Sequence, residues 1–529
     1  MLKTRILVAL LASGFAASAQ NPPATTTAPT TNGSSITNAA SAAATVGGAN
    51  TAANPNRQIS LGEMIQAALQ SNLDIQVTRF TPSVAGFSVA EAYAVYEPDL
   101  SLGYTYSDNK SPGGLVDHGL IAPSDIFRQD TFNLGVGNGI QGYAPSGLTY
   151  SIGGQATKIN RHPPGENGPD EYDSTVGINL RQPLLRNMWI DPARAAIKIS
   201  RVNLRISEEQ LRQTIMDTLV KVEQAYYNLI FARENVKVQA TALELASQLL
   251  RENRKRVEVG ALAPLDEKQS EAEVAATRAA LIEAERALSE QQNILKGLVT
   301  DKYAEWNAVN LEPADSLLAI PVISDVQESW RRGLMQRPDL MQIKYALERS
   351  GITLKLRKNQ LWPELDLVGS YGHAERSILG YDHAVGDLPQ GRNPYYTVGA
   401  ALDIPLGNRA ARARYKSAKA DQEQSLLEYK RLEQQIMVQI DDSVKLIRSS
   451  FERVEATRAA RAFAQEALAA EQKKLENGKS TSFLVLQAQR DLTQRRSEEI
   501  RALADYNNGL AQLAWREGTT LERHNVLLK

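Results

Sequence analysis

The sequence predicts an α+β membrane protein in which one unit, written twice, joins short alternating strands to very long helices. Three observations predict it. An internal repeat runs through most of the chain, paired segments alternate apolar with small or polar residues, and two helical stretches of nearly seventy residues lack glycine and proline.

Composition narrows the setting first. Lys3 and Arg5, the apolar run Ile6 to Ala12 and Ala17-Ser18-Ala19 have the three parts of a secretory signal, so residues 1–19 are expected to be a signal peptide. The chain has no cysteine, which excludes disulfides and a cysteine-linked lipid anchor. Lys plus Arg number 59 against 60 Asp plus Glu, and this balance gives no polybasic surface for nucleic acid. No later apolar run reaches 18 residues, so any crossing of a membrane is expected to use strands rather than a helix. Residues 20–57 are rich in Ala, Thr, Asn, Ser, Gly and Pro and read as a flexible leader.

The repeat sets the domain plan. Leu69, Asp74, Pro98, Leu100, Leu102 and Tyr106 recur at an offset of 265 as Leu334, Asp339, Pro363, Leu365, Leu367 and Tyr371. Val176-Gly177, Leu180 and Pro183-Leu184 recur at an offset of 222 as Val398-Gly399, Leu402 and Pro405-Leu406, so the first repeat carries 43 extra residues between those points. Gly260 and Gln269 recur as Gly478 and Gln487. Repeat one is expected over residues 58–300, a connector over 301–324, repeat two over 325–517 and a tail over 518–529.

Each repeat opens on a capped helix, Ser60 with Glu63 in the first and Ser324 with Gln327 in the second. These helices end at Glu97-Pro98 and Trp362-Pro363, and the first is expected to run unbroken from Leu61 to Tyr96. Strands follow. Leu100, Leu102, Tyr104 and Tyr106 alternate with Ser101, Gly103, Thr105 and Ser107, and the segments around Val176 to Arg181 and Val398 to Ile404 alternate likewise. That is the period of a transmembrane β-barrel, and equally that of a soluble sandwich. The 43 extra residues hold another such pair, Phe132-Leu134-Val136 and Leu148-Tyr150-Ile152.

A helix capped by Asp191-Pro192 then runs to Val259, about 68 residues and roughly 100 Å. Gly260 and Pro264 break it, and a shorter helix continues to about Val299. Repeat two matches: a long helix from about Arg409 to Asn477, Gly478 at the turn, then a shorter one to about Arg516. Two short helices end to end equal one long one, so each repeat can lay a short pair beside its long helix.

Written twice, this order resembles the TolC family of outer-membrane efflux proteins. The matching phrases are Ser60-Leu61 through Asn72-Leu73-Asp74-Ile75, Pro98-Asp99-Leu100, Gln182-Pro183-Leu184-Leu185 and Arg256-Val257-Glu258-Val259-Gly260. The resemblance covers about Ser60 to Glu517. It implies a homotrimer in the outer membrane with a long periplasmic extension. Four strands per protomer would form a 12-stranded barrel, continuous with a helical coiled-coil barrel, and Tyr303 to Val322 would form a belt around the latter. It also implies a passive channel for efflux or type I secretion, partnered by a periplasmic adaptor and an inner-membrane pump of the RND, ABC or MFS class. The helix tips would be the periplasmic entrance, with Gly260, Ala261, Leu262, Gly478, Lys479 and Ser480 where the adaptor docks and Asp266, Leu484 and Gln487 at the pore. In that family the second tip commonly carries acidic residues where this chain has Leu484 and Gln487. A ring of Leu484 side chains would be an apolar gate, and the alternative is that Leu484 packs inside the coiled coil.

Catalysis finds no support, since no GxSxG, P-loop, HExxH or EF-hand pattern occurs. The histidines, His118, His162, His373, His383 and His524, are scattered and read as solvated loop residues, with neither a metal nor a cofactor expected. The basic run Arg409, Arg412, Arg414, Lys416 and Lys419 reads as a solvated helix start near the barrel rim rather than an anion site. The remaining alternative is a structural coiled-coil envelope protein or adaptor-like spacer.

Overall fold

The computed structural model describes residues 56–111, 125–134, 139–162, 169–260, 262–322 and 325–526. The expected signal peptide, the leader up to residue 55, Ala261 and Ser324 lie outside them.

The first helical pair follows from two polar caps. After β1 (Asn56–Ile59), Ser60 accepts from the Glu63 amide and Glu63 accepts from the Ser60 amide, both at 3.3 Å, and this closes the capping box that starts α1 (Leu61–Ser71). The continuous helix expected from Leu61 to Tyr96 is instead two. Asn72 ends α1 with an extended backbone, and its Oδ1 accepts from the Ile75 amide at 3.1 Å to start α2 (Leu73–Tyr93). The side chain thereby offers the backbone a capping bond that competes with helix continuation.

The strands form one antiparallel sheet. β2 (Asp99–Leu100), β3 (Gly103–Ser111), β4 (Asp125–Leu134), β5 (Ile140–Tyr143), β6 (Thr149–His162) and β7 (Glu171–Pro183) come from repeat one. Then α3 (Pro192–Glu258) and α4 (Pro264–Val299) run down and back, followed by α5 (Tyr303–Trp306) and β8 (Asn310–Pro313). Repeat two supplies α6 (Val326–Gln336), α7 (Pro338–Asn359), β9 (Glu364–Ser377), α8 (Tyr381–Gly386), β10 (Pro394–Asp403), α9 (Arg409–Glu476) and α10 (Ser482–Glu517), and α11 (Thr520–Arg523) closes the described chain. Asp325, not Ser324, caps α6, accepting from the Gln327 amide at 3.0 Å.

β4 and β5 pair with successive parts of β6, and β3 and β2 pair with them in turn, so four strand positions come from repeat one and two from repeat two. The expected four strands per protomer are therefore six strand positions. The cause is the 43-residue insertion, which adds two between the first and last strands of repeat one.

The register separates the two faces cleanly. Leu100, Ile140, Ile152, Ile178, Tyr371 and Tyr396 lie side by side across all six positions, and all are exposed. One residue along, Asp99, Gln141, Ser151, Asn179, Ser370 and Thr397 form the matching row on the other face. An exposed apolar row facing away from a polar one suits a wall between lipid and water.

Below the sheet, α3 and α9 have 67 and 68 residues and α4 and α10 have 36 each. α2 and α4 pack along α3, α7 and α10 pack along α9, and α3 joins the repeats by packing on both α7 and α10. A belt forms where the short helices meet. β1 pairs in parallel with β8, and Tyr226 donates to the Asp315 carboxylate at 2.6 Å above a core of Met64, Leu219, Leu229 and Leu295. Burial raises the Asp217 carboxyl above its ordinary pKa, against the lowering pull of the Trp515 indole N–H that donates to it at 2.6 Å. The tail does not run free: His524 meets the fully buried Glu223 at 2.6 Å, so this histidine is a structural partner rather than a solvated residue.

The two faces make a direct test. Ile178→Lys should cost roughly 2–4 kcal/mol if the residue faces the bilayer midplane, and Asn179→Lys next to it should be tolerated. Folding yield into lipid vesicles, followed by gel mobility of the unheated protein, checks both.

Candidate functional site

The features that could carry function lie at the two ends of the molecule, the lipid-facing sheet and the distal helix tips. At the first tip α3 ends at Val259, and Gly260 takes φ +73° while its amide donates to Val257 O at 2.9 Å. At the second, Gly478 takes φ +68°, its amide reaches Leu475 O at 3.1 Å, and the Lys479 amide reaches Lys474 O at 2.8 Å. These paired bonds are a Schellman ending, and the left-handed turn is what glycine is needed for. A Cβ at either glycine would meet open space, so substitution strains the backbone without a clash.

Pro264 then starts α4 and Thr481 caps α10, its hydroxyl accepting from the Leu484 amide at 3.4 Å. Ser480 donates to Glu471 at 2.7 Å across the second turn, leaving Lys479 in the exposed bend; Leu262 follows the first turn, and Ala261 lies outside the described residues. Leu484 and Gln487, one helical turn apart, are both exposed on one face of α10, whereas Val485 and Leu486 are buried in the coiled coil. Within the protomer the packing role therefore belongs to Val485 and Leu486, and Leu484 is left facing outward. Asp266 is half-buried in the first turn of α4.

A buried polar relay joins the tips. Asn253 on α3 donates to Ser270 of α4 at 2.8 Å and accepts from Ser482 of α10 at 3.0 Å, and Ser270 in turn donates to Asp266 O at 2.9 Å. Asn253 and Ser270 are wholly buried and Ser482 is nearly so. Farther up, Arg490 donates through Nε to the buried Glu273 at 2.7 Å, and that bond raises the guanidinium pKa still further above its ordinary value. The relay links the Asp266 backbone to the start of the helix that bears Leu484. Sequence reading missed it, although a signal exists. Ala242, Ala246, Leu249 and Asn253 follow the four-three-four spacing of a coiled-coil seam, and a polar residue at such a position marks a specific pairing.

The other singled-out side chains do not converge. Arg409, Arg412, Arg414, Lys416 and Lys419 are all exposed on the first turns of α9. His373 lies on β9 and His383 on α8, His118 and the side chain of His162 lie outside the described residues, and no metal-binding cluster occurs among the described ones. No helix among them is long and apolar enough to cross a membrane.

Removing the relay's centre should loosen the tip. Asn253→Ala leaves the Ser270 and Ser482 hydroxyls short of a buried partner, at a cost of about 1–3 kcal/mol. Hydrogen exchange should quicken in the last turns of α3 and first turns of α10, with the belt unchanged.

The comparisons agree with this geometry. The chain matches the outer membrane efflux protein family over residues 146–300 and 331–515, one match in each repeat. It is 26% identical over 332 residues to the outer membrane efflux protein BepC of Brucella suis, covering 60% of this chain and 66% of that relative, just under two thirds of its length. To the proteases secretion protein PrtF of Dickeya chrysanthemi it is 23% identical over 423 residues, 76% of this chain and 86% of that one. The fold is that of the CmeC outer membrane channel of Campylobacter jejuni, with a TM-score of 0.63 at 16% identity over 87% of this chain and 86% of that one. The chain belongs to the outer membrane efflux protein family.

Proposed function

We propose that this protein is the outer-membrane channel of a tripartite efflux or type I secretion system, built from three copies and conducting substrates passively from the periplasm to the exterior. One observation carries the reading: an apolar row and a polar row each cross the whole sheet, and that sheet continues into a layer of helices roughly 100 Å long. A structural spacer of the envelope has no use for lipid-facing strands. The energy for transport comes from elsewhere, in this reading from an inner-membrane pump of the RND, ABC or MFS class reached through a periplasmic adaptor.

Two unfinished surfaces support assembly from copies. β3 and β10 end the sheet, and among the described residues neither has a second strand beside it. On α2, Leu73, Val77, Phe80, Val84 and Phe87 follow the four-three-four-three spacing of a coiled-coil seam, and all are 56% exposed or more. The opposite face of α2 packs on α3. At the same level α9 presents the exposed alanines Ala413 and Ala420, seven residues apart. Large knobs on α2 of one copy fit small positions on α9 of the next. Phe80→Asp with Phe87→Asp should abolish assembly while leaving the isolated chain helical, a result that size exclusion and circular dichroism in detergent would read together.

The distal tips complete the device. Gly260 and Leu262 at one tip and Gly478, Lys479 and Ser480 at the other lie at the helix breaks farthest from the sheet, and together with Ala261, which follows Gly260 in the sequence, they are the positions offered to an adaptor in this reading. Gly260→Trp should stop export in cells while assembled protein stays at normal abundance in the outer membrane. Export at the normal rate would remove the docking site.

Leu484, with Gln487 one turn above it and Asp266 on the neighbouring α4, faces the axis in this reading, so that apolar side chains of three copies close the entrance by excluding water. Leu484→Asp would set three carboxylates together. Unit charges about 5 Å apart at an effective dielectric near 20 repel by roughly 3 kcal/mol per pair, which favours the open form. Single-channel conductance should rise at neutral pH and fall back as the pH drops through the carboxyl range, because protonation removes the repulsion. Wild-type conductance at every pH in an intact assembly would eliminate the gate.

A further inference from the structure

The 43-residue insertion widens the wall of the pore. We propose that it contributes two full staves to the transmembrane sheet, so that three copies of six strand positions close an eighteen-stranded barrel whose girth matches the helical barrel beneath. The proposal rests on the three-copy reading above and concerns what each copy brings to it.

Three observations lead there. The inserted strands are integral to the sheet: β6 pairs with β7 along eleven residues, Thr149↔Arg181 to Ile159↔Glu171, and with β4 along nine. They also carry the same two-faced pattern as the rest. Ile140 and Ile152 continue the apolar row from Ile178, and Gln141 and Ser151 continue the polar row from Asn179. A surface flap or a plug inside the lumen has no reason to keep that alternation in phase with its neighbours. Finally, every adjacent pair in the sheet is antiparallel, so six positions leave β3 and β10 running in opposite directions. The free edge of β10 can therefore take β3 of a second copy as an ordinary antiparallel neighbour, and the edges vanish when the ring closes.

Geometry supplies the reason for the extra pair. At the level of α2 the protomer presents four helices side by side, α2, α3, α7 and α9. At roughly 8–10 Å each they occupy about 32–40 Å of circumference. A strand spaced about 4.8 Å from its neighbour and tilted near 40° occupies about 6 Å. Four strands then span about 25 Å and six about 38 Å, on the same estimate. Six strands continue the helical wall upward without a taper, and the pore is as wide where it leaves the membrane as in the helical segment. The narrow point is left to the distal tips, and cargo that passes them meets no second constriction in the barrel.

The absence of cysteine from the chain makes the test clean. Single variants Ile152→Cys and Ser151→Cys on the inserted β6, with Ile178→Cys and Asn179→Cys on β7 as references, are labelled with a fluorophore and reconstituted in vesicles containing brominated phospholipid. The label at Ile152 should be quenched several-fold more than that at Ser151, with the same contrast at Ile178 against Asn179. A second readout pairs Thr105→Cys on β3 with Thr397→Cys, Tyr395→Cys or Gly399→Cys on β10, and one of these combinations should give a disulfide between chains. Loss of contrast at 151 and 152 while 178 and 179 keep it would overturn the proposal, as would the absence of any cross-link in an assembly of three chains. Six-strand contrast in particles that do not contain three chains would instead defeat the three-copy reading and leave the six staves standing.

Discussion

A sheet immersed in hydrocarbon cannot leave backbone groups unpaired, and the rest of this structure depends on that constraint. Each amide or carbonyl facing lipid without a partner costs several kcal/mol, and a free edge strand bears a whole row of them. β3 and β10 are such edges in one copy. Six strand positions are too few to curl shut with room for a lumen, so in the proposed assembly the edges are met by other copies. The antiparallel order lets identical chains do so head to tail around a ring. On that reading membrane insertion and assembly are one requirement.

The helices obey a similar logic in water. α3 and α9 are about 100 Å long, and a rod of that length has little stability beyond what its neighbours supply. The short helices supply one flank along the whole length, and the contacts of α3 with α7 and α10 supply the joint between repeats. What is left over is the apolar seam of α2 and the exposed alanines Ala413 and Ala420 on α9. Sheet edges and helix seam lie at the same two lateral boundaries of the chain, so in the proposed assembly a single docking event closes both layers. The belt fixes the level at which the short helices meet, through Asn72 reaching Leu298 O at 2.8 Å and Tyr226 holding Asp315.

Much of this was legible in the sequence, because the signals are periodic. Alternation at Leu100 to Tyr106 and Val398 to Ile404, the glycine-free stretches and the turn glycines Gly260 and Gly478 each appear in the structure as read. Features decided by one side chain or by pairing were harder to see. Asn72 splits a helix because its amide caps the next one, and a single Asn in a helical stretch does not announce that. The strand count turns on whether the inserted residues pair with β7, a long-range register that alternation alone leaves open. His524 looked like a free tail residue, yet α11 folds back and sets it against Glu223. At the tips, Leu484 and Gln487 were found through resemblance and lie together on one exposed face, whereas the Asn253–Ser270–Ser482 relay depends on three helices meeting and shows only as a polar break in a seam.

The central claim, that the chain is complete only when other copies close its sheet and its helical layer, is tested most directly by the particle mass. Light scattering of the detergent-extracted protein, corrected for bound detergent, should give three chains per particle. A monodisperse monomer that keeps its strands and resists proteolysis would contradict the account.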